Sequence, residues 1–227
     1  LKEIVAIGLP TFARNSLGAI LAIIIINLIG FYTPSAYYSD LYTSIYGVAN
    51  RVMMFIFMPG FGLVQGLAPI AGYNFGAKKW ERLVEVIKFA TKILTIYFIV
   101  GFLIWQIFAY GIFDVFSSPN SAIFINEGGR IFRLIGLALP IITFQILAGS
   151  IYQAFGYPVR ALVISLSRQF LFFIPLAFIL TNIYSLDGLW YTFFIADFLS
   201  GLIGIAMLVY EVKVLMKKSN EEVEILT

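Results

Sequence analysis

Pro59-Gly60-Phe61-Gly62-Leu63-Val64-Gln65-Gly66-Leu67-Ala68-Pro69-Ile70-Ala71-Gly72-Tyr73-Asn74-Phe75-Gly76-Ala77 closes a long apolar run, and Lys78, Lys79 and Arg82 follow it. Five glycines and two prolines in nineteen residues would break a soluble helix. A membrane helix tolerates them, because neighbouring helices, side chains and water re-satisfy the freed backbone groups. Gly62/Gly66 and Gly72/Gly76 are small-xxx-small spacings, which predict close approach of another helix. One polar side chain, Gln65, lies within the run. Asn74 and Gly76 read as the helix stop, where residues tolerant of left-handed backbone are favoured.

The rest of the chain has the same character. Of its 227 residues, 61% are hydrophobic and 12% charged, against about 25% charged in an ordinary soluble domain. Several apolar runs exceed the ~20 residues needed to cross a bilayer. The class is all-α, a polytopic membrane bundle. Six spans are predicted, over 4–30, 40–73, 89–108, 127–154, 160–180 and 189–212. They form one membrane lobe over 1–218, with a polar, frayed tail over 219–227. The chain opens on Leu1 with no cleavable signal pattern, and so reads as a piece of a longer protein.

Basic residues mark the chain start, the 77–88 loop, the 155–160 turn and the tail, and are missing from the other three loops. The positive-inside rule then puts both termini in the cytoplasm, as an even span count requires. Glu81 and Glu85 sit at helical spacings from Arg82 and Lys88, predicting a self-paired helix start. Arg130 and Arg133, near the outer end of span four, are expected to snorkel outward.

Arg14, Arg51, Arg168 and Asp197 fall near the middle of their spans. Such a residue costs on the order of 3 kcal/mol to insert and must face protein or water. Helical geometry puts Arg51, Gly62, Gln65 and Pro69 on one face of span two. Asp197 aligns with Trp190, Gly201 and Gly204, and Gln145 with Gly149 and Tyr152. Two readings stay open: these residues line a pathway, or Arg168 pairs with Asp197, and Arg14 with Asn27 or a carbonyl, as structural glue. The pathway candidates are Arg14, Asn27, Arg51, Gln65, Gln145, Arg168 and Asp197.

The sequence has no histidine and no cysteine, which removes the commonest general base, metal ligand and thiolate. No Walker pattern, Gly-x-Ser-x-Gly or paired membrane-depth carboxylates occur. The expectation is no enzyme, no cofactor, no metal and no nucleic acid. Asp40, Asp114 and Asp187 read as solvated loop residues.

Gly8-Leu-Pro-Thr-Phe-Ala-Arg14-Asn15, the block from Gly62 through Gln65, Gly66, Pro69, Gly72, Asn74 and Gly76 to Lys78, then Gln153-Ala-Phe-Gly156-Tyr-Pro158 and Ser167-Arg168-Gln169 occur in that order. This pattern resembles the C-terminal six-helix half of a MATE (multidrug and toxic compound extrusion) transporter, of the DinF- or MepA-like prokaryotic branch. The resemblance implies one lobe of a twelve-helix fold in the cell membrane. It implies exchange of H+ or Na+ for small organic cations or drugs by alternating access. The implied partners are membrane lipid and an N-terminal six-helix lobe. In the NorM-typified branch, acids in the first and fourth helices of this lobe help to bind the coupling cation. Span one here has no membrane-depth acid and span four only Glu127, so coupling is expected to rest on the other lobe. The alternatives are an exporter of lipid-linked or polysaccharide substrates in the same superfamily, and a non-transporting scaffold lobe.

Overall fold

The computed structural model describes residues 18–117 and 121–226. Among the described residues all regular structure is helical. The helices are α1 (Gly18–Tyr32), α2 (Ala36–Gly76) and α3 (Trp80–Val115). Then come α4 (Ala122–Gly136), α5 (Leu139–Ala154), α6 (Pro158–Leu166), a π-helical turn (Ser167–Phe173), α7 (Ile174–Tyr184) and α8 (Leu186–Leu226). Four helical stretches are long and apolar enough to cross a membrane, and the bent pair α4–α5 makes a fifth. α1 is the described part of the first expected span; residues 4–17, Arg14 among them, lie outside the described residues.

Prolines set the departures from straight spans. The fourth span breaks at Leu137–Ala138 and bends by 48°. Pro140 sits in the first turn of α5, where its missing N–H is harmless, but its ring cannot continue α4. In the fifth span Pro175 leaves the Leu171 carbonyl without its usual donor, and the backbone widens into the π turn just before it. α2 stays continuous through Pro59 and Pro69. Beside Pro59, the Tyr97 hydroxyl of α3 donates to the Ile56 carbonyl at 2.8 Å, and a Cβ on Gly60 would lie 2.9 Å from the Phe98 ring.

The turn after α2 is shorter than expected. α3 begins at Trp80, so Arg82 already lies on its first turn. The left-handed residue is Lys78, at φ 56°, rather than Asn74 or Gly76. The Lys79 N–H closes the helix end onto the Asn74 carbonyl at 2.9 Å. Asn74 is buried, and its amide donates to the Ile70 carbonyl at 2.8 Å. Among the described residues no ion pair forms between Glu81 or Glu85 and Arg82 or Lys88, so the expected self-pairing is absent. α8 runs through the expected tail as far as Leu226.

α8 is the central helix. Buried residues make up 44% of its apolar window, against 17–22% for the other three long stretches. It meets α5 almost backbone to backbone: a Cβ on Gly201 would fall 2.8 Å from the Ile141 carbonyl oxygen, and one on Gly204 2.6 Å from the Gln145 nitrogen. α3 and α4 pack rings onto backbone. Trp105 stacks on Phe132 with centroids 3.8 Å apart, and its indole N–H donates to the Phe132 carbonyl. The outward faces of the other helices carry large apolar groups such as Ile107, Phe108 and Leu171, as a lipid-facing surface requires.

Candidate functional site

The pathway candidates divide into two groups, one closed inside the lobe and one open outside it. The closed group lies where α5, the π turn and α8 meet. Arg168, carried on the π turn, donates through Nε to Asp197 Oδ1 on α8. Asp197 is fully buried. One turn on, the Ser200 hydroxyl lies 3.1 Å from Gln145 Oε1 and 3.0 Å from the Asp197 carbonyl. The Gln145 amide reaches the Ile164 carbonyl of α6 at 3.3 Å. Asp197 Oδ2 and the Trp190 indole N–H, two turns away on the same face, are buried without a hydrogen-bond partner. The Tyr46 phenol of α2 lies within electrostatic reach of the Arg168 guanidinium. Asp197 and Gln145 are buried and Arg168 is half-buried, and together they form one network joining four elements.

The open group is on α2. Arg51, Gly62, Gln65 and Pro69 are all exposed. The buried residues of the same helix, Gly60, Val64, Leu67 and Ala71, lie on the opposite side. This face therefore points directly away from the bundle. A Cβ added at Gly62 or Gly66 would meet nothing within 4 Å, so the spacing expected to pack a neighbouring helix packs none among the described residues. A Cβ on Gly72 would meet a neighbour, 3.1 Å from the Ala154 carbonyl oxygen. Gly76, the last residue of α2, stands in open space. Asn27 is exposed on α1 and satisfies itself on the Ile23 carbonyl at 2.9 Å.

Two further clusters were at most half visible in the sequence, which set Glu127 three residues before Arg130 but named none of their partners on α8. At the end that the charge reading puts outside, Arg130 bridges Glu127 at 2.8 Å and Asp187 at 2.7 Å, and Tyr42 of α2 reaches Glu127 at 3.5 Å. Asp187 is thus an ion-pair partner linking α8 to α4, not a merely solvated loop residue. Arg133 does not need to snorkel: its Nε donates to the Gln106 carbonyl at 2.9 Å, and its guanidinium lies 4.6 Å from the Tyr110 ring centroid. At the cytoplasmic end, by the charge reading, Glu211 of α8 is buried with Arg160 at 3.9 Å. Arg160 also covers the Tyr157 ring at 4.8 Å. Glu211 was missed because it closes a long apolar run and looks like its polar end. Arg160 at the opposite side of the 155–160 turn was the available signal.

Among the described residues no group of three acids could hold a metal ion. The sequence profile of the MatE family matches residues 16–179. The chain belongs to the MatE family. The multidrug export protein MepA of Staphylococcus aureus (strain bovine RF122 / ET3-1) is 24% identical over 202 residues, 89% of this chain and 43% of that protein. A structure of the MATE multidrug transporter DinF-BH is 35% identical, with a TM-score of 0.80, covering 95% of this chain and 47% of that one. The inward-facing structure of a multidrug resistance MATE family transporter of the MOP superfamily shares the fold at TM-score 0.82 and 19% identity, covering 96% and 49%. This MatE chain spans about half the length of the curated relatives it matches. It is a multi-pass membrane protein of a family of transporters rather than enzymes, and its helices form one lobe of the MATE fold.

Proposed function

We propose that this chain is the C-terminal lobe of a cation-coupled multidrug efflux antiporter of the cell membrane, with both termini cytoplasmic. Its partner is an N-terminal lobe, and the two rock to alternate access to a cleft between them. The observation that carries the proposal is the open face of α2. An arginine at membrane depth is costly against lipid, and Arg51 is exposed on the side opposite the helix's buried residues. Water or a second lobe is what such a face requires. Gln65 and Pro69 continue it toward the cytoplasm. The closed network supports assigning coupling by H+ or Na+ to the other lobe, because Asp197 is already held by Arg168.

The test is drug efflux by the two-lobed protein in cells. Arg51→Ala and Gln65→Ala should each lower efflux of a cationic dye at normal expression. Unchanged efflux in both variants would sink the proposal.

A further inference from the structure

The glycines that pack no helix pose a question of their own. Gly66 floors a cleft of about 500 Å³ between the inner half of α2 and the first half of α3, walled by Leu63, Ile70, Phe89 and Ile93. Arg82 and Glu85 stand at one end. Neither carries a salt bridge or side-chain hydrogen bond to another described residue. Around that end the chain places Lys78, Lys79 and Arg82 against Glu81 and Glu85.

We infer that this cleft holds an anionic glycerophospholipid of the cytoplasmic leaflet, one acyl chain along α2 and α3 and the phosphate on Arg82. The walls exclude a polar occupant, since they offer apolar side chains and a bare glycine over most of their length. From Arg82 to Ile93 the groove runs about 16 Å at the helical rise per residue, the reach of most of one acyl chain. The unpaired guanidinium supplies the forked donor that suits a phosphate. The basic surplus around it selects a net-anionic headgroup over a zwitterionic one. Glu85 would repel a bare phosphate, but it accepts a hydrogen bond from the hydroxyls of a glycerol headgroup. Phosphatidylglycerol therefore fits both ends of the pair. The inference rests on the cytoplasmic orientation proposed above for the turn after α2, and not on transport.

Native mass spectrometry tests it. The chain is released from nanodiscs containing equal phosphatidylglycerol and phosphatidylcholine, and the retained adducts are counted. Phosphatidylglycerol should be retained over phosphatidylcholine by on the order of fivefold, the factor expected for one interfacial arginine. Arg82→Gln should bring the ratio near one, and Gly66→Leu should remove the retained lipid of either kind. Both positions are exposed, and circular dichroism confirms that each variant folds. Lys213→Gln, on a different helix, should leave the ratio unchanged. Equal retention of the two lipids by the unaltered chain, or an undiminished ratio in Arg82→Gln, would overturn the inference. Because the readout is lipid retention, it can fail while efflux by the two-lobed protein still responds to Arg51→Ala.

Discussion

Arg168 and Asp197 show how a membrane-depth pair can be both costly and necessary. Burying two charges gains little net stability, but removing one partner leaves the other unpaired. Asp197→Ala should therefore lower stability by about 3–5 kcal/mol, read as detergent-solubilised thermal or denaturant unfolding. The double variant Arg168→Met/Asp197→Leu should recover most of that loss. Additive losses would mean that the pair is not a unit. The pairing was legible in the sequence as one of two options, because both residues fall mid-span. Its neighbours were less so: Ser200 is an ordinary hydroxyl in an apolar run, and the π turn that aims Arg168 has no mark but Pro175. Glu211 was hidden by its position at the end of a span.

Between elements, glycine spacing gave the right kind of contact and in part the wrong place. Of the glycines read from their spacing, Gly72 meets the Ala154 carbonyl while Gly62, Gly66 and Gly76 meet nothing; Gly201 and Gly204, read only as part of the Asp197 face, bring α8 onto the α5 backbone. A spacing says that a face is smooth; only the fold says what lies against it. Gly204→Ala should cost about 1–3 kcal/mol by overpacking a backbone that cannot yield. Gly62→Ala should change stability by no more than about 0.5 kcal/mol. Equal losses in side-by-side melts would contradict the α5–α8 contact. The bend between α4 and α5 follows from Pro140, which the sequence displays, though its angle does not. Spin labels at the two ends of this span should move apart in Pro140→Ala if the proline holds the bend, and an unchanged distance would place its cause in the packing.

For the whole molecule, hydropathy made the all-helical membrane class readable, because a bilayer imposes length and composition so strictly. The basic turn after α2 was readable in sign but not in size, since one left-handed lysine shortens it. The lobe alone in proteoliposomes should give no gradient-driven dye transport, because one lobe cannot enclose a cleft between two. Robust transport would mean that two copies pair into a working unit.

Water access along α2 tests the central claim most directly. This lobe contains no cysteine, so an introduced cysteine is its only thiol, and the two-lobed protein with any cysteine of the other lobe replaced by serine serves as the background. Gln65→Cys and Arg51→Cys in the two-lobed protein should react with a membrane-impermeant, water-soluble maleimide and be protected by excess cationic substrate, while Ile107→Cys on the apolar outer face of α3 stays unlabelled. If Arg51→Cys and Gln65→Cys are as inert as Ile107→Cys, the α2 face looks onto lipid and the transport reading of this lobe is contradicted.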